Sequence, residues 1–161
     1  MNVRLRKAWH LVLRFFGHLR AAPLTPEEQR FVFGYLSRPC AELFWKQSVP
    51  DQRHAFTVAG RVAALLPNDS EAIEAALLHD VGKWRPDSGA VSRSIATLLG
   101  LMRLPMTKRM WAYVDHGRRG ADELEEAGCG ELAVVFTRLH PAPAPERFDE
   151  HRWQVLSEAD E

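Results

Sequence analysis

The stretch Leu77-Leu78-His79-Asp80-Val81-Gly82-Lys83 decides how this chain is interpreted. An apolar run with helical character, residues 72–78, leads into His79 and Asp80, which are both metal-binding residue types. An imidazole nitrogen and a carboxylate oxygen together suit a borderline divalent ion such as Mn, Fe, Co, Ni or Zn. The side chains of neighbouring residues on a regular helix point about 100° apart. His79 and Asp80 can therefore reach one ion only near a helix end, and Gly82 indicates such an end. The alternative is that His79 and Asp80 only cap the helix.

The composition sets limits on the class of protein. The chain has 161 residues, 46% of them hydrophobic, and its 21 basic and 21 acidic residues balance. This favours one domain with a substantial core and argues against a disordered chain or a DNA-binding protein. No apolar run approaches the about 20 residues that span a bilayer, and Arg14 and His18 interrupt any N-terminal signal sequence. Cys40 and Cys129 alone do not make a disulfide framework. We therefore expect a cytoplasmic protein without a transmembrane segment.

Charge is spread unevenly along the chain. Residues 1–20 carry five basic residues and no acid, residues 81–120 carry eight basic residues and two acids, and residues 121–161 carry three basic residues and eleven acids. The basic stretch 85–119 either lines a pocket for an anion or forms a solvated face. We favour the pocket because the local imbalance is large.

Apolar residues recur with helical period through nearly the whole chain, and no segment alternates as a strand does. This pattern predicts an all-α fold, a single globular helical bundle. Residues 2–20 form a basic amphipathic segment, which either binds anionic lipid or packs on the domain; packing is favoured because it covers the apolar stripe. We assign residues 1–45 to an N-terminal helical segment that packs on the core, and residues 46–161 to the main domain.

Capping residues predict where several helices begin. Thr25, Pro26 and Glu28 form an N-cap, a first helical residue and a capping box. Further starts are expected at 48–51 and at 68–71, the second of which begins the helix that delivers His79 and Asp80. Helical segments are also expected around 91–102, 105–116 and 131–140, and from about 146. Breaks are expected at 117–120 and 128–130.

Six residues in chain order look like the metal ligands of a known family. The pattern H…HD…D resembles the signature of the HD-domain metal-dependent phosphohydrolases, and two further histidines fall where the two-metal branch of that superfamily places them. The resemblance covers about residues 48–160, although that branch often has a His-His pair where this chain has Leu139-His140. The matching residues are His54, His79, Asp80, His116, His140 and Asp160.

The resemblance implies a helical HD domain that hydrolyses a phosphate ester with a metal-activated water. One divalent ion would be held by His54, His79, Asp80 and Asp160, and a second by His116 and His140 with Asp80 bridging. The ions are one or two of Mn, Fe, Co, Ni, Zn or Mg. The substrate would be a small phosphate-containing molecule such as a nucleotide, a cyclic nucleotide or a phosphorylated metabolite.

Four basic residues are candidates for binding the substrate phosphate: Lys83, Arg85, Arg118 and Arg119. Lys83 would join Asp80 as a catalytic residue by contacting the phosphate, as the matching lysine does in some family members. Alternatively, Lys83 only complements the negative end of a helix dipole.

Three other functions stay open on the sequence. Related proteins with the same six ligands hold two irons and act as oxygenases on small polar substrates. A non-catalytic HD module would bind a nucleotide or a protein partner, and a helical scaffold would use the site only for structure. The intact ligand set argues against the last two.

Overall fold

The computed structural model describes residues 21–84 and 116–160, and within them the chain is all helical, as the sequence predicts. None of these helices is long and apolar enough to cross a bilayer. The predicted helical segments in residues 2–20, 91–102 and 105–115 lie outside the described residues. The helices are α1 (Pro26–Tyr35), α2 (Arg38–Lys46), α3 (Val49–Leu65), α4 (Ser70–Leu78), a 3₁₀ helix (Val81–Trp84), α5 (His116–Glu126), α6 (Glu131–Leu139) and α7 (Glu150–Asp160).

Side-chain caps fix the starts of α1 and α4. The Thr25 hydroxyl accepts a hydrogen bond from the Glu28 amide, and the Glu28 carboxylate accepts one from the Thr25 amide, which completes the predicted capping box. Asp69 accepts the amide of Ala72 at 3.0 Å and so begins α4. These contacts satisfy amides that have no partner in the first helical turn.

Helix α4 lies at the centre of the bundle and contacts α1, α2, α3, α6 and α7. Its buried residues are Ala72, Ile73, Ala75, Ala76, Leu77 and Leu78. Three of them are alanines, and their small side chains let neighbouring helices approach closely. Helices α1 and α2, from the predicted N-terminal segment, bury Val32 and Phe44 in the same core as Phe136 and Leu156. The core therefore surrounds the helix that ends at His79 and Asp80.

Helix α5 runs without interruption through residues 117–120, so the predicted break there is wrong. A Cβ atom added at Gly117 would lie 2.7 Å from the Thr137 carbonyl oxygen, and one added at Gly120 would lie 2.7 Å from the Gly82 nitrogen. The two glycines are therefore sites of close approach to α6 and to the 3₁₀ helix, and tertiary packing offsets their low helix propensity. Gly82 lies inside the 3₁₀ helix instead of ending α4.

The last helix begins later than predicted, at Glu150 instead of about residue 146. The Asp149 carboxylate accepts the Arg152 amide at 2.7 Å and so provides the cap. Prolines at 141, 143 and 145 precede this cap.

Cys40 of α2 and Cys129, between α5 and α6, are joined by a disulfide bond, with their Cα atoms 5.8 Å apart. The sequence predicts no disulfide framework, and a single bridge across 89 residues corrects that expectation. Two cysteines so far apart give no pairing signal in the sequence.

Candidate metal centre

His79 and Asp80 lie in the turn between α4 and the 3₁₀ helix. His79 caps α4 with a helical backbone, and the Lys83 amide then donates to the Asp80 carbonyl at 3.0 Å, which tightens the chain into the 3₁₀ helix. Their side chains are buried, and one potential ligand atom from each lies within 4.8 Å of one from His54 on α3. The end of the α-helix therefore lets the side chains of two adjacent residues lie close to the same histidine.

The Asp160 carboxylate, at the end of α7, lies against three imidazole rings. Its Oδ1 is 2.8 Å from His54 Nε2 and 3.3 Å from His79 Nε2, and its Oδ2 is 3.1 Å from His140 Nε2. Burial by itself would raise the pKa of Asp160, but hydrogen bonds from His140, His54 and His79 hold that pKa well below its usual range. Asp160 is therefore a carboxylate at any ordinary pH.

Five of the six predicted ligands thus come together, from α3, the turn after α4, the end of α6 and the end of α7. They are His54, His79, Asp80, His140 and Asp160. His116 is the first residue of α5, and its side chain lies outside the described part of the structure.

The two nitrogens of the His79 ring have different surroundings. Nδ1 lies 2.8 Å from the Ala76 carbonyl oxygen, which can only accept, so Nδ1 carries the hydrogen. Nε2 is buried 3.3 Å from an Asp160 oxygen and 3.5 Å from an Asp80 oxygen. Among the described residues it faces these two acceptors, to which it donates a hydrogen bond only when it is protonated. Although burial disfavours the charged ring, the Asp80 and Asp160 carboxylates raise the pKa of His79. The Nε2 lone pair therefore requires a proton or a metal ion.

This donor set fits a divalent metal. Imidazole nitrogens with carboxylate oxygens are ligands for Zn, Fe, Mn, Co and Ni. The Nδ1 contact to a backbone carbonyl is the usual way in which a protein orients a metal-binding histidine. Two carboxylates, Asp80 and Asp160, would balance the two charges of the ion.

The last turn of α7 is held in place by a residue that the sequence analysis did not identify. Arg61 of α3 donates to the Ala159 carbonyl oxygen at 2.8 Å, next to Asp160. This bond and the His54 contact join the last turn of α7 to α3. Arg61 follows His54 by seven residues, two helical turns on the same face, and that spacing is the available signal.

Comparisons of the chain with protein-family models, with curated proteins and with solved structures found no match. The function therefore has to be argued from the geometry of the site, and the resemblance to HD domains stays a prediction.

The predicted substrate-binding residues lie in different surroundings. The Lys83 ammonium is 2.5 Å from the Asp80 carboxylate and its side chain is mostly buried, so it lies inside the site. Arg118 is exposed, 3.6 Å from Asp122 on the same helix, and Arg119 is half-buried. Arg85 lies outside the described residues.

Proposed function

We propose that this chain is a metal-dependent phosphohydrolase of the HD-domain type, acting on a phosphate ester in a nucleotide or a small phosphorylated metabolite. One observation carries the proposal: His79 Nε2 is buried between two carboxylates while Nδ1 is held by a backbone carbonyl. A neutral ring would leave its Nε2 lone pair against two anions, and an unmet buried polar group costs about 1–3 kcal/mol. A proton or a bound cation removes that cost, and the three histidines and two carboxylates grouped there suit a cation.

The residues that would hold the cation are His54, His79, Asp80 and Asp160, with His140 beside them. Bound there, a divalent metal would lower the pKa of a coordinated water and polarise a phosphoryl oxygen. The chain itself fixes the ligands: Ala76 orients His79, and Arg61 holds the turn that carries Asp160.

Lys83 is the residue best placed to meet the substrate phosphate. Its ammonium lies inside the site against the Asp80 carboxylate, where its positive charge would meet a phosphate oxygen of a bound substrate. Arg85, Arg118 and Arg119 would add positive charge around the substrate.

The contact between His140 and Asp160 favours a second candidate function. Because His140 lies on the other oxygen of the Asp160 carboxylate, the site has donors for a second ion. Two irons held there would support oxygenase chemistry on a small polar substrate in place of hydrolysis.

The test is release of inorganic phosphate from a panel of nucleotides, cyclic nucleotides and sugar phosphates, with the protein loaded in turn with Mn, Fe, Co, Zn and Mg. His79→Ala should abolish the release, and His151→Ala, which alters an exposed histidine of α7, should not. No phosphate release from any compound with any metal would contradict the proposal. Substrate-dependent oxygen consumption by the iron-loaded protein would favour the oxygenase.

A further inference from the structure

A second cluster of metal-binding residue types lies apart from the candidate centre. It consists of Cys40 in the first turn of α2, Glu74 in the middle of α4, and Cys129 in the turn between α5 and α6. Both sulfur atoms and one Glu74 carboxylate oxygen lie within 4.8 Å of one another. Three elements distant in sequence thus direct donor atoms to one point, where the two sulfurs are bonded to each other.

Glu74 has no counter-charge among the described residues. Its carboxylate is half-buried and accepts one hydrogen bond, from the Gly130 amide at 3.2 Å. No lysine or arginine within residues 21–84 and 116–160 forms an ion pair with it. A carboxylate held in this way next to two sulfurs is suited to a cation.

The two cysteines differ in ways that suit reversible chemistry. Cys40 is fully buried at the third position of α2, where the Ser37 hydroxyl lies 3.1 Å from its sulfur and donates to it. A helix N-terminus and a hydroxyl donor both stabilise a thiolate. Cys129 is partly exposed, so a reductant can reach the bond from its side.

We propose that reduction of the Cys40–Cys129 bond creates a binding site for a thiophilic divalent cation such as Zn²⁺, with the two sulfurs and the Glu74 carboxylate as ligands. A dithiol reductant supplies two electrons and two protons, the S–S bond breaks to give two thiols, and the reductant leaves as its own disulfide. The cation then displaces the two thiol protons.

The geometry of the cluster allows this exchange. Tetrahedral zinc with Zn–S bonds of about 2.3 Å holds two sulfurs about 3.8 Å apart. Cα atoms 5.8 Å apart allow that separation by rotation of the cysteine side chains. The disulfide joins α2 to the turn between α5 and α6 in the oxidised protein. In the reduced, metal-bound protein the metal ion would join the same two elements and, through Glu74, α4 as well. Three protein ligands leave the fourth zinc position open to water.

Cobalt(II) is the probe, because thiolate ligands give it a charge-transfer absorption that the nitrogen and oxygen donors of the other centre cannot produce. The full chain, reduced with a phosphine, is titrated with Co²⁺ and then with Zn²⁺. The reduced wild type should show the absorption and lose it on addition of Zn²⁺, whereas the oxidised protein and Cys129→Ser should show none. Absence of the band from the reduced wild type, or an equal band in Cys129→Ser, would overturn the proposal.

Two further variants test the carboxylate with both cysteines intact. Loss of a residue that only supports a metal ligand weakens metal binding by about 10–100-fold. Glu74→Gln removes a ligand itself, so it should weaken Co²⁺ binding at least as much. Gly130→Ala should also weaken it, because a Cβ there would lie 2.7 Å from the carboxylate oxygen and displace it. The matched control is Glu71→Gln, which alters an exposed acid on the same helix. A Glu74→Gln titration identical to that of Glu71→Gln would exclude Glu74 as a ligand.

Discussion

The Asp160 carboxylate lies 2.8 Å from the Nε2 atom of His54, a residue 106 positions earlier in the chain. The contact joins the last turn of α7 to α3, and it lies beside the turn that carries His79 and Asp80. Residues that are far apart in sequence therefore meet at one carboxylate. The following predictions test whether this meeting point serves a metal ion.

Asp80→Asn keeps the shape of the side chain and removes a charge that a bound cation needs. We expect bound metal and phosphate release to be lost together while the helical fold is retained, because the amide has nearly the same size as the carboxylate that it replaces. Metal analysis, an activity assay and circular dichroism measure the three properties. Asp122→Asn, at a surface acid that contacts Arg118 and Arg138, is the control. Wild-type turnover by Asp80→Asn would rule out the mechanism.

Lys83→Ala separates two roles for the ammonium. If Lys83 contacts phosphate, turnover should fall by roughly 10²–10³, as for the loss of one preorganised donor, with metal content unchanged. If it only complements a helix end, the change should cost about 0.3–1 kcal/mol of stability and spare the rate. We expect the first result. Lys46→Ala, at an exposed lysine of α2, is the control, and an unchanged rate would move the anion-binding role to Arg85, Arg118 and Arg119.

Arg61→Ala removes the bond that holds the last turn of α7 without altering any ligand. Without this bond the turn that carries Asp160 should become more mobile. Metal affinity should therefore fall by about 10–100-fold, as it does when a residue that supports a metal ligand is lost. A metal titration measures this. Arg38→Ala, at an exposed arginine, should leave the affinity unchanged, and equal affinities for the two variants would show that Arg61 has no positioning role.

Gly120→Ala and Gly34→Ala test whether the glycines of α5 are packing sites. Alanine at Gly34, where no atom lies within 4 Å of the added Cβ, should stabilise the protein by about 0.4–1 kcal/mol. Alanine at Gly120 should destabilise it by about 1–3 kcal/mol, because the backbone at Gly82 is in the way. Denaturant unfolding of the metal-free proteins compares the two, and stabilisation by Gly120→Ala would contradict the observed packing.

The metal-free protein should lose stability as the pH rises through the folded-state pKa of His79. The pKa of His79 is raised above its ordinary value of about 6.5, so its protonated form stabilises the fold at low pH. That contribution is lost as the pH rises through the folded-state value. A metal competes with this proton, so metal affinity should rise over the same range. Unfolding and metal titrations at several pH values measure both trends, and affinity that falls with rising pH would contradict the role of His79.

Local signals in the sequence predict the start of α1 and place the end of α4 close to its observed position. Thr25 and Glu28 form the capping box that their spacing predicts, and α4 ends at Leu78, just before His79 and a few residues before Gly82, the residue that indicates a helix end in the sequence. Such features depend on neighbouring residues, which a single sequence displays directly.

Features that depend on the approach of distant segments were not predictable. Gly117 and Gly120 resemble helix breakers until the backbone atoms of Thr137 and Gly82 are placed beside them. Arg61 bonds to a backbone carbonyl, and a carbonyl has no signature in the sequence. The helix start at Glu150 was misplaced for a different reason, because Asp149 was not recognised as its cap.

Metal binding by Asp160→Asn, compared with Glu158→Gln on the same turn of α7, tests the central claim most directly. Both changes convert a carboxylate to an amide, but only Asp160 lies against the three histidines, and Glu158 is exposed. Elemental analysis of protein purified without chelator, followed by titration with Zn²⁺ and Mn²⁺, gives the stoichiometry and affinity. We predict that the wild type and Glu158→Gln hold at least one divalent ion per chain and that Asp160→Asn holds none. A wild type that binds no more metal than Asp160→Asn would contradict the account and leave the histidines as a structural cluster around a buried acid.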